Sequence, residues 1–126
     1  MPSITSDKRT YVLRASTADG SSNITGATQK NGKSYKGVKL AINISAFTGS
    51  SVTFTLEGLD PISGTAYTLL ASAAKSGTGA FTLTLYPGVT ETANVDQSDV
   101  LPIWWRIKTT GTYTVCTWSV YAELIP

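Results

Sequence analysis

Residues 51–86, SVTFTLEGLDPISGTAYTLLASAAKSGTGAFTLTLY, decide the fold class of this chain. They hold three short runs, Ser51–Glu57, Tyr67–Ala71 and Ala80–Tyr86, separated by segments rich in Gly, Ser and Pro. In the first and third, Val52, Phe54, Leu56 and Phe81, Leu83, Leu85 fall on one face, with Thr53, Thr55, Thr82 and Thr84 on the other. A period of two is the signature of a half-buried strand, because successive side chains of an extended chain point to opposite sides.

Upstream, Tyr35–Ala46 carries the cleanest alternation, with Val38, Leu40, Ile42 and Ile44 on one face, and predicts a central strand. Thr48-Gly-Ser-Ser51 reads as the reversal of a hairpin joining it to Ser51–Glu57. A first strand is expected over Lys8–Ala15, a short edge strand over Asn23–Ala27 and a tight turn at Asn31-Gly32. Residues 1–7 are polar and aperiodic and read as an N-terminal arm.

Downstream, Asp60-Pro-Ile-Ser-Gly64 is a turn, because Pro61 presets φ and Gly64 tolerates the exit. Ala71–Lys75 is too short to nucleate a helix and reads as strand end and turn. Pro87 ends the third run, and Val89–Val100 is a polar connection long enough to cross between sheets. Leu101–Lys108, a turn at Thr109-Thr-Gly-Thr112 and Tyr113–Leu124 complete the chain, with Cys116, Trp118, Val120, Ala122 and Leu124 on one face. The expectation is all-β: a single antiparallel β-sandwich of seven or eight strands over residues 8–126, jelly-roll or immunoglobulin-like.

Composition agrees. The 126 residues hold 20 Thr and 14 Ser against 18 charged side chains, a balance suited to pleated surfaces rather than helices. A chain of this length buries roughly 65% of its unfolded surface and needs neither disulfide nor metal. The net charge of +2 is too small for the field of a general nucleic-acid binder. Lys30, Lys33, Lys36 and Lys39 form a local basic run with no acid among them, read either as loop solvation or as contacts to an acidic partner surface. The N-terminus has no signal-peptide pattern and nothing approaches a membrane span, so use without Sec export, or release by lysis or inside an assembly, is expected.

Histidine is absent, which removes the commonest general base and the Ser-His-Asp and Cys-His arrangements. Cys116 is the sole cysteine and reads as a small buried apolar residue. Asp96-x-x-Asp99 offers two oxygen ligands without the further ones a calcium loop needs, and Ser76-Gly-Thr-Gly79 lacks the lysine of a phosphate cradle. Glu57 falls on the threonine face and reads as solvated. No enzymatic activity, cofactor or metal is expected.

Adjacent strand residues cannot both enter one core, so Trp104 and Trp105 part company. With Ile103, Trp105 and Ile107 inward, Trp104 shares the outer face with Arg106 and Lys108. An outward Trp is covered by a loop, used in a subunit contact or offered to a ligand.

Thr53-Phe-Thr-Leu-Glu-Gly58, Asp60-Pro61, Tyr67-Thr-Leu-Leu-Ala-Ser72, Phe81-Thr-Leu-Thr-Leu-Tyr-Pro-Gly88, Leu101-Pro102 and Trp105-Arg106, taken in this order, resemble a group of small β-sandwich structural proteins of tailed bacteriophages. The likeness spans residues 38–124 and leaves 1–37 outside. It implies a virion component without enzymatic activity, made in the host cytoplasm, most simply a capsid decoration protein. Such a protein binds copies of itself and the major capsid protein or head–tail proteins; a trimer is the expected oligomer, because it matches the threefold positions of a shell, and no nucleic acid or membrane is expected among its partners. Ile4, Asp7, Lys30, Lys33, Lys36 and Trp104 are the expected partner-contact residues. The alternative is a carbohydrate- or receptor-binding module of a phage tail resting on Trp104, and a small hydrolase is a third.

Overall fold

The computed structural model describes residues 9–19 and 23–126. The arm expected at 1–7, with Ile4 and Asp7, lies outside these described residues. Among the described residues seven strands form one sheet: β1 (Thr10–Asp19), β2 (Gln29–Lys30), β3 (Gly37–Leu59), β4 (Ala66–Ala71), β5 (Gly79–Leu85), β6 (Asp96–Gln97) and β7 (Trp104–Ile125). The fold is all-β and sandwich-like, as the alternation predicts. Its pairings are antiparallel except for the short β5–β6 contact, where Thr84 and Leu85 run parallel to Asp96 and Gln97.

Two strands dominate. β3 has 23 residues and β7 has 22, and they pair antiparallel from Gly37↔Ile125 to Gly58↔Trp105. The N-terminal half of β3 also pairs with β5, from Val38↔Leu85 to Ile44↔Gly79, while its C-terminal half pairs with β4, from Thr55↔Ala71 to Leu59↔Ala66. The sheet therefore has two halves that share their central strands, and it folds over onto itself between them. Phe54, in the second half, packs edge-on against Trp118 at 5.0 Å and in a tilted arrangement against Phe81 at 5.4 Å, both from the first half. Aromatic pairs of this kind contribute about 0.5–1.5 kcal/mol beyond their burial.

The corner corrects two expectations. Thr48–Ser51 and Thr109–Thr112 do not reverse the chain; β3 and β7 run straight through them. The register slips between Ile44 and Ala46, between Thr48 and Gly49 and between Gly49 and Ser51, and such bulges let a strand pass from one sheet of a sandwich into the other. Gly49 and Gly111 each have φ +153. A Cβ on Gly49 would stand 2.4 Å from Tyr113 Cα, and one on Gly111 would stand 2.2 Å from Ser51 O. The glycines that look like turn signals are there because two backbones cross at the bend.

The core lies between the halves. Val38, Leu40, Ile42, Ile44, Leu83 and Leu85 face Val52, Phe54, Leu56 and Ile107, and Trp118, Val120 and Ala122 close it. Cys116 is fully buried among them, as its phase predicts. Ile103 is a correction: it precedes β7 and is 55% exposed rather than inward.

The flanking segments follow their chemistry. Residues 24–26 run beside β7, with Thr25 bridged to Lys108, Gly26 N donating to Ile107 O and Thr109 N to Ile24 O. Asn31 is buried at the expected turn, where its amide donates to Tyr35 O at 2.8 Å and accepts from Tyr35 N at 2.8 Å.

Candidate functional site

Trp104 opens β7 opposite Lys30, the last residue of β2. Directly paired residues project to the same side of a sheet, and Lys30 Nζ stands 5.5 Å from the centroid of the Trp104 ring, within cation–π range. Trp105 turns the other way and is 1% exposed; its cross-strand partner is Gly58, where a Cβ would stand 2.5 Å from the Tyr67 ring. Trp104 is half-buried. It thus shares the outer face of β7 with Arg106 and Lys108, as the strand parity predicts.

Between Trp104 and the 60–64 turn lies a groove of about 360 Å³, lined by Thr28, Leu59, Asp60, Pro61, Gly64 and Trp104. The turn is rigid for local reasons. Asp60 Oδ1 accepts from Ile62 N and Oδ2 from Ser63 Oγ, both at 2.9 Å, while Gly64 N donates to Asp60 O at 2.8 Å. The Ile62 amide first, then the Ser63 hydroxyl, hold the Asp60 carboxyl below its usual pKa range. Gly64 has φ +75, and no atom lies within 4 Å of where its Cβ would be, so the groove stays open at that wall.

Next to the groove Glu57 contradicts its expected solvation. It is 3% exposed, its Oε1 accepting from Arg106 Nε at 2.9 Å and its Oε2 lying 3.0 Å from Lys108 Nζ. Glu57 and Arg106 are direct cross-strand partners and Lys108 is one step along the same face, so the carboxylate is clamped between two cations. The alternation placed Glu57 on the right face; that face is simply not open.

Of the expected contact residues, the fold brings together Lys30 and Trp104. Lys33 and Lys36 are exposed on the loop leading from β2 to β3, where Lys36 is fixed through its backbone to Ile125 O and Leu101 N. Asp96 sits in β6, and Asp99 caps Val100 N at 2.7 Å. Among the described residues no group of three or more His, Cys, Asp or Glu could hold a metal ion. Thr28, Leu59 and Pro61 were not predicted as site residues, and only the Asp-Pro turn signal pointed towards them. On the other half of the sheet, a shallow hollow of about 390 Å³ is lined by Ala41, Asn43, Ala80, Thr82, Ser119 and Tyr121, with Ile42 and Phe81, and carries no charged side chain.

Fold and groove together define an all-β domain of folded-sheet, sandwich type with a Trp104-walled groove on an outer face. No family model matches the chain, and no curated protein matches it in sequence. Solved structures align with it only at TM-scores below 0.5. PfGH50B aligns with TM-score 0.49 at 12% identity over 89% of this chain and 23% of that one. A protein of infectious bursal disease virus, Gx strain, aligns with TM-score 0.44 at 14% identity over 93% and 33%. A pilus protein of Bacillus endospore appendages aligns with TM-score 0.41 at 11% identity over 93% and 88%. The chain thus spans about a quarter and a third of the first two, and likeness at this level carries no functional argument. No helix among the described residues is long and apolar enough to cross a membrane.

Proposed function

We propose that this protein is a non-enzymatic structural component of a virion, of the kind that decorates and stabilises a capsid of a tailed bacteriophage. The observation that carries the reading is where three of its acids, Glu57, Asp60 and Glu91, are committed. Glu57 is clamped by Arg106 and Lys108, Asp60 holds its own turn, and Glu91 accepts from Gln97 Nε2 and Ser98 N. These groups maintain the fold instead of facing one another across a cleft. The two shared long strands give a stiff body, and a stiff body bound in symmetric copies stabilises a shell through many weak contacts. The phage-like order of motifs through residues 38–124 supports the same reading. Its partners are further copies of itself, as a trimer, and the major capsid or head–tail proteins.

Light scattering on the purified protein combined with imaging of intact particles tests this. A symmetric oligomer seated on the shell, and binding to empty capsids, are expected; a monomer that fails to bind empty capsids refutes it. A second reading, a carbohydrate- or receptor-binding module of a tail, is favoured by one observation, the groove in front of Trp104.

A further inference from the structure

We propose that the Trp104 groove is a subsite for one neutral pyranose unit of a glycan, stacked on the indole and hydrogen-bonded by Asp60 and Thr28. The proposal rests on the second reading above and deepens it.

At about 360 Å³ the groove is at the small end of ligand pockets, which run roughly 300–1,000 Å³. Its walls are apolar where a sugar is apolar: the Trp104 ring, Leu59 and Pro61 offer carbon surface to the C–H face of a pyranose. Its polar groups are of both kinds. Asp60 only accepts, and the Thr28 hydroxyl does either. Sugar hydroxyls both donate and accept, so a ring lying across this groove finds a partner in each direction. Each Asp60 oxygen already takes one hydrogen bond from its own turn, which fixes the carboxylate while leaving each oxygen capacity for another.

The same residue selects against an acidic sugar. Asp60 is held in its ionised form by the Ile62 amide and the Ser63 hydroxyl, so a second carboxylate entering the groove meets a fixed negative charge. A nucleobase also stacks on indole, but the exposed carboxylate repels the phosphate that accompanies it.

The test uses the full chain on an array of neutral and acidic glycans, followed by titration with the best neutral ligand. Trp104 alone is accessible to an aqueous fluorescence quencher, because Trp105 and Trp118 are each 1% exposed; bound sugar is therefore expected to protect the quenchable fluorescence. Trp104→Ala is expected to weaken binding about tenfold or more, since losing a ring-stacking platform has effects of that order, and Trp104→Phe to recover part of it. Asp60→Asn is expected to weaken binding about threefold or more while keeping an acceptor for Ile62 N, a charge-assisted hydrogen bond being stronger than a neutral one. Binding of acidic glycans or mononucleotides alone overturns the proposal. Neutral glycan binding undiminished in Trp104→Ala overturns the groove assignment and leaves the carbohydrate-binding reading standing. Failure to bind any glycan overturns both.

Discussion

The two halves of the folded sheet share the same two central strands, yet they bury them differently. In the first half β3 alternates strictly: Val38, Leu40, Ile42 and Ile44 are buried, while Lys39, Ala41 and Asn43 are exposed. In the second half Phe54, Thr55, Leu56, Glu57 and Gly58 are buried in succession. β7 flanks β3 on one side in both, while on the other side β5 flanks the first half and β4 the second, with Tyr67 of β4 covering Gly58. What lies outside differs too. The first half turns Ala41, Asn43, Thr82 and Ser119 towards an open hollow. The second is roofed by its own charges, Arg106 and Lys108 closing over Glu57, with residues 24–26 running along the edge of β7. A strand's period tells which residues share a face; the neighbours decide whether that face is wet.

The largest expected effect tests whether the halves are one cooperative body. Trp118 belongs to the first half and packs edge-on against Phe54 of the second. Trp118→Ala is expected to cost about 3–5 kcal/mol, the range for truncating a large buried aromatic, in one denaturant transition. Two separate transitions would show that the halves unfold independently and break the comparison at its base.

The corner comes next. Gly111→Ala sets a Cβ 2.2 Å from Ser51 O at a φ of +153, and a loss of roughly 2–4 kcal/mol is expected from strain and backbone displacement. Gly77→Ala, where a Cβ meets nothing within 4 Å, is the control, expected within about 0.5 kcal/mol of the parent. Equal effects in urea denaturation would mean that the bend tolerates side chains and that the glycines mark something else.

These corner glycines also show where the sequence was legible and where it was not. Face assignments held along the two long strands, because alternation is local: the ladder Val38, Leu40, Ile42, Ile44 and the ladder Cys116, Trp118, Val120, Ala122, Leu124 are both inward, while Ile103, just before β7, is exposed. Strand continuity was misread, because Gly-Ser and Thr-Gly pairs serve a reversal and a crossing of backbones equally well, and strands beyond 20 residues are far longer than the usual 3–10. Trp104 was placed correctly by parity. The wall opposite it was not, since Leu59 and Pro61 meet Trp104 only through the β3–β7 register, a contact between residues more than 40 positions apart. Glu57 was misjudged because its two cations come from that same distant strand.

A smaller effect isolates the roof. Glu57→Ala leaves Arg106 and Lys108 without their shared carboxylate. Their side chains are 23% and 33% exposed and can turn to water, so the cost is expected at about 1–3 kcal/mol, below the roughly 3–5 kcal/mol of a fully buried pair. A double-mutant cycle with Arg106→Ala measures the coupling. A coupling indistinguishable from zero would mean that apolar cover, not charge, keeps this face dry.

The smallest effect belongs to Asp60, the acid that is as exposed as Glu57 is buried. Hydrogen bonds from Ile62 N and Ser63 Oγ favour its ionised form in the folded chain and are lost on unfolding, so the folded-state pKa is the lower of the two. Above the ordinary carboxylate range both states are ionised and the turn's stabilisation is fully present. As pH falls below that range the unfolded chain takes up a proton first, and the contribution is lost as the pH passes through the folded-state pKa. The stability gap between the parent and Asp60→Ala is therefore expected to be flat near neutrality and to shrink only in acid. A carboxyl NMR titration of Asp60 reads the same thing directly. If it titrates at or above the ordinary carboxylate value, the hydrogen bonds do not hold the turn in solution, and the wall of the groove facing Trp104 is not fixed by them.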